Sequence, residues 1–109
     1  MDWNLFDGGP RGSEGGVVVA DEEYRGASRI TLERDVSSRT AAAITRGIYG
    51  WMMHTRRFSN LDTAREAYDA MKIDMAGIVD KIPLEDEPDG RRRLPEIFEA
   101  IKAFVEQYP

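Results

Sequence analysis

Between Ser59 and Pro83 the sequence carries a single apolar stripe. Leu61, Ala64, Tyr68, Met71, Met75, Ile78 and Ile82 recur at alternating steps of three and four residues. That period gathers apolar side chains on one face of an α-helix. Ser59, Asn60 and Asp62 offer capping oxygens and early negative charge, and Pro83 ends the run. The spacing therefore predicts a helix over about 60–82. The heptad-like steps also suit a coiled coil, but a run of about three heptads is too short to demand one. A helix with one apolar face must lie on something, and the rest of the chain has to supply that surface.

A second amphipathic helix is expected over about 94–107. Leu94, Ile97, Phe98, Ile101, Val105 and Tyr108 mark its apolar side, and Pro95 is tolerated in its first turn. "LEDEPDG" (Leu84–Gly90) reads as the loop between the helices.

Upstream the period changes to two. Val17–Ala20 is largely β-branched, and Ile30 and Leu32 alternate with Arg29, Thr31 and Glu33. Arg25-Gly26 supplies a turn between these strands, and "VSSR" (Val36–Arg39) supplies the next. Thr40–Phe58 admits two readings. Its alanines favour one helix, but Gly47 and Gly50 would each cost roughly 1 kcal/mol in a helix interior. Its many β-branched and aromatic residues fit two strands better, about 40–47 and 50–58. In the second of these, Trp51, Met53 and Thr55 form the expected core face, with Met52, His54 and Arg56 turned outward. Arg46 shares its parity with Ile44 and Ile48, so this register needs a bulge at Gly47 or is shifted.

The sum is an α+β domain: a four-stranded antiparallel meander (about 16–58) with two C-terminal helices (about 60–82 and 94–107) packed on one face. The other sheet face is left open to a ligand or a partner. Phe6–Gly16 holds five glycines and a proline, and residues 1–15 read as a flexible N-terminal arm on a single domain, 16–109. Trp3, Leu5 and Phe6 give that arm some capacity to dock.

Composition narrows the function. The 109 residues contain no cysteine and one histidine, which excludes a disulfide framework, a thiolate metal site and a cysteine nucleophile. No apolar run approaches the ~20 residues of a membrane span, and the acidic start lacks the features of a signal peptide, so a cytoplasmic setting is expected. The net charge of −5 argues against general nucleic-acid binding. Within this acidic chain, however, the segment between Asp35 and Asp62 is basic, holding Arg39, Arg46, His54, Arg56 and Arg57.

From that segment comes the candidate ligand- or partner-binding set: Arg46, Tyr49, Met52, His54, Arg56 and Arg57. Guanidinium pairs offer bidentate donors to a carboxylate or phosphate. His54, the one histidine, is the candidate for acid–base work but has no acidic or nucleophilic neighbour in sequence to form a catalytic set. No catalytic residue, metal ligand or cofactor is assigned. Asp21–Glu23 and Glu85–Glu87 lack calcium-loop spacing and read as solvated loops, and Gly90–Arg93 as their basic counterweight. The expected function is a non-catalytic interaction protein, self-associating through the open sheet face or binding a protein partner there. The alternatives are a small anion-binding or enzymatic domain built on the His/Arg cluster, and a weak nucleic-acid binder using Tyr49 and Trp51 for stacking.

Overall fold

Arg25 and Gly26 both adopt left-handed backbone conformations, with φ of 55° and 65°, and the Ala27 amide donates to the Tyr24 carbonyl. Two consecutive positive φ values match the twist of a tight hairpin, so this turn joins its strands without splaying them. The last hairpin turns differently: of its two central residues, Tyr49 and Gly50, only the glycine has positive φ, 81°, and the Trp51 amide closes on Ile48. A computed structural model describes residues 2–82 and 93–109; the expected loop at 84–90, with Pro83, Arg91 and Arg92, lies outside the described residues.

The hairpins build an antiparallel sheet of five strands in chain order: β1 (Trp3–Leu5), β2 (Val17–Tyr24), β3 (Ser28–Arg34), β4 (Ala42–Ile48) and β5 (Met52–Phe58). The α-helices follow, α1 (Leu61–Val79) and α2 (Leu94–Gln107). The class is α+β, as expected, with both helices packed against the sheet. Four strands were expected, and the fifth comes from the segment read as an arm. Trp3 pairs with Tyr24 across β1 and β2, and their ring centroids lie 5.3 Å apart. A three-residue strand is too short to show a period, which is why the pattern did not reveal it.

α1 forms where the stripe predicts. Asn60 is extended (φ −143°) and its side chain accepts from the Thr63 amide at 3.0 Å, satisfying one of the free amides of the first turn. Ala64, Tyr68, Met71, Met75 and Ile78 are buried; Leu61 and Ile82 are partly so. They meet Ile30, Leu32, Ile44 and Ile48 of β3 and β4, the fully buried centre of the core. Burial of each such side chain is worth about 1.5–3 kcal/mol.

Two expectations are corrected. Asp21–Glu23 is not a loop but the end of β2, and Asp21 is buried. Strand β5 is turned over. Met52, His54, Arg56 and Phe58 share the helix-covered face, whereas Met53, expected in the core, is 71% exposed on the other. Phe58 decides the parity. It sits opposite Ala42 and is buried, and an unbroken register carries every second residue of β5 to the same side. Arg46 needs no bulge at Gly47: the register runs through that glycine without a shift, and Arg46 is buried beside Ile44 and Ile48.

Candidate functional site on the sheet face opposite the helices

The turned-over strand splits the expected binding set between two faces. Arg46 and His54 are cross-strand partners on the covered face, with Arg56 one pair further along. There Nη2 of Arg46 donates to the Tyr108 carbonyl and the guanidinium lies 5.7 Å from the Phe104 ring centroid. Its Nε and Nη1 have no partner among the described residues. Burial, with Arg56 nearby, lowers the Arg46 pKa to about 10. His54 Nε2 is 2.9 Å from the Pro109 carbonyl, and Arg56 stacks on Phe58 at 4.9 Å. So Arg46, His54 and Arg56 do gather, but around the residues that follow α2 rather than around a cavity. Met52 packs against the core, Tyr49 stands in the β4–β5 turn, and Arg57 pairs with Glu14 on the opposite face.

A cavity of about 370 Å³ lies on that opposite face. Its centre is a row of threonines, Thr31, Thr45 and Thr55, placed side by side by the registers of β3, β4 and β5. Thr45 Oγ1 is 3.1 Å from Thr55 Oγ1 and 3.3 Å from Ser13 Oγ, while Thr31 donates to Asp21 Oδ1 at 3.1 Å. Beside the row, Gly47 opposes Arg29 and Met53. A glycine inside a strand weakens it, and here its missing side chain leaves the space open. A Cβ on Gly47 would meet the Met53 sulfur at 3.3 Å.

The glycine-rich segment closes one side. Arg11 forms a bridge with Val17, and Arg11, Gly12 and Ser13 line the cavity. This segment is fastened by Glu33, a fully buried carboxylate that accepts from the Gly16 amide at 2.8 Å and the Glu14 amide at 3.3 Å. Gly12 passes so close to that carboxylate that a Cβ would come within 2.3 Å of it. Only glycine permits the approach. On the far side Arg29 grips Asp21 through two hydrogen bonds, at 2.9 and 2.7 Å, and lies 4.1 Å from the Phe6 ring centroid. The Arg29 guanidinium is held above its ordinary pKa, first by the hydrogen bond to Asp21. Tyr49 donates to Glu23 at 3.0 Å; burial and that bond push its phenol upward.

Chemically this is a polar floor of hydroxyls with apolar sides from Val18, Met53 and the Tyr49 ring. Arg11 is exposed and has no side-chain partner among the described residues. The one histidine is on the other face, so no imidazole faces the cavity. Among the described residues no group of three or more acidic or histidine side chains is arranged to hold a metal ion. None of the described helices is long and apolar enough to cross a membrane. Sequence reasoning reached Tyr49 here but missed Arg11, Gly47 and the threonines. Gly47 was the available signal, since an interior strand glycine that makes no bulge marks a close approach or a gap.

Compared with protein-family models, curated proteins and solved structures, the chain matches none of them.

Proposed function

We propose that this chain is a non-catalytic binding module that receives a small amphipathic anion on the sheet face opposite its helices. The observation that carries this reading is the cavity of about 370 Å³ over Gly47, floored by hydroxyls and flanked by Arg11. Its volume falls within the usual range for small-molecule sites, about 300–1,000 Å³. Hydroxyl donors and a guanidinium suit a carboxylate or sulfonate, and Met53, Val18 and the Tyr49 ring suit an apolar body. With the one histidine on the other face, binding is favoured over acid–base catalysis. This reading keeps the anion but moves it away from the His/Arg cluster. It suits an aqueous compartment such as the cytoplasm.

The test uses anilinonaphthalene sulfonate, an apolar fluorescent anion. The wild-type chain should enhance its fluorescence saturably. Gly47→Val, which fills the cavity, and Arg11→Glu, which removes the cation, should each weaken binding by about tenfold. Equal binding by all three folded proteins would overturn the reading.

A second reading, self-association through the same face, is favoured by Met53, whose exposed side chain stands beside the exposed Tyr49. It makes the module a homodimer. Light scattering at rising concentration decides it: a dimer dispersed by Met53→Lys supports it, and a monomer throughout rejects it.

A further inference from the structure

The sheet ends at β5, and its outer edge is a different surface from the cavity. Seven residues, Met52–Phe58, pair with β4 without a register shift. Among the described residues no backbone group of another element pairs with the outer side of this strand. An unbulged edge of this length is a template for one more strand. Its charge is one-sided. Arg25, Arg29, Arg34, Lys72 and Lys81 each meet a carboxylate within the domain. Arg56 meets none among the described residues and only stacks on Phe58, and Arg46 beside it is likewise without an anion. Arg57 has Glu14 alone and is more than half exposed. Arg56 and Arg57 thus put positive charge along this edge of a protein whose net charge is −5.

We infer that β5 is a docking edge for an extended acidic segment of a partner protein. Main-chain hydrogen bonds to the edge supply the attachment, and acidic side chains at alternate positions, which share one face, meet Arg56 and His54 there, while Arg57 on the other face adds attraction at longer range. A second copy of this chain is a poor occupant. Antiparallel pairing of two β5 strands about Thr55 sets His54 of each against Arg56 of the other, placing basic groups opposite each other. The same charges guard the edge against self-pairing and select an acidic guest.

The probe is a blocked peptide of about nine residues alternating valine and glutamate, a length suited to one strand. The control has lysine in place of glutamate. Added to the intact chain, the acidic peptide should slow amide hydrogen exchange in 52–58, and its affinity should fall with salt; the lysine peptide should do neither. Arg56→Glu with Arg57→Glu should weaken the acidic peptide by at least about tenfold and admit the lysine peptide. Arg56→Gln with Arg57→Gln, a milder pair, should give an intermediate affinity with an unchanged melting temperature. Equal protection by both peptides, protection confined to other strands, or none at millimolar peptide overturns the inference. So does protection of 52–58 by protein concentration alone, which marks a second copy as the guest. Equal protection of the same amides by a single-stranded oligonucleotide would overturn the choice of a protein guest.

Discussion

The Tyr68 hydroxyl donates to Glu22 Oε2 at 2.6 Å, tying the middle of α1 to β2 across 46 residues of chain. Lys72, one turn further along α1, reaches the same carboxylate at 2.9 Å, and both charged side chains are at most one-fifth exposed. Replacing Tyr68 with phenylalanine keeps the ring in the core and removes only the donor. The largely buried carboxylate then has Lys72 alone, and the loss should be about 1–3 kcal/mol by chemical denaturation. A change below about 0.3 kcal/mol would mean that water replaces the hydroxyl freely.

Alkaline pH should weaken the fold. Tyr24, Tyr68 and Tyr108 all hold their protons above the ordinary tyrosine value of 10.0. For Tyr24 the chief cause is the hydrogen bond to Asp80; for Tyr68 and Tyr108 it is burial, which takes Tyr108 to about 12. A raised folded pKa means stability fully present below pH 10 and lost as pH rises through the folded values. Arg46 acts in the opposite sense. Its pKa is lowered to about 10, so its burial penalty is relieved as pH climbs from there toward 12.5. With Tyr49, also raised, four tyrosines outweigh one arginine, and the unfolding free energy should fall between pH 10 and 12. Tyr108→Phe should make that fall shallower.

Met71 is fully buried at the centre of α1, whereas Trp51 is only partly buried at the β4–β5 turn, its ring 5.6 Å from that of the exposed Phe98. Met71→Ala should cost about 2–5 kcal/mol. Trp51→Ala should cost distinctly less, because the site can collapse or fill with water. Calorimetry of the two variants gives the order directly, and the reverse order would contradict the packing described.

Arg46 is buried with two of its nitrogen atoms unpartnered. Replacing a buried ion by an apolar side chain of similar size is often neutral or stabilising by about 1–4 kcal/mol. Arg46→Met should therefore leave the melting temperature unchanged or raise it. A marked loss would show that the bond to the Tyr108 carbonyl outweighs the desolvation of the guanidinium.

How far the sequence discloses this molecule depends on how many residues share in each signal. α1 is legible because seven positions repeat one period, and the β2–β3 turn because Arg25-Gly26 can adopt two positive φ values. The facing of β5 is not legible, because both of its parities mix apolar and polar groups. Trp51, Met53 and Thr55 look like a core face until Phe58 is seen to bind the other parity to the core. Glu33 reads as an outward residue between Leu32 and Arg34; its burial is created by the glycine-rich segment laid over it. The cavity is hidden for a related reason. Its threonines are ordinary strand formers in sequence, and only three separate registers put them in one row. Tyr49 alone of the expected binding residues borders that cavity, while Arg46, His54 and Arg56 meet each other on the face beneath the helices.

The strand order equals the chain order, and this bears on how quickly the fold can form. Every neighbouring pair of strands is also consecutive in sequence, so the sheet can zip outward from the β2–β3 and β4–β5 hairpins. Closing short loops forfeits little chain entropy, and topologies dominated by local contacts fold fast for their strand content. α1 finds its platform once β3 and β4 have paired. Zipping of β2 on β3 ends at the Val17–Arg34 pair, and only then can Glu33 capture the Gly16 amide, 17 residues away. The wall of the cavity is therefore a late event on the folding path, formed against a sheet already assembled.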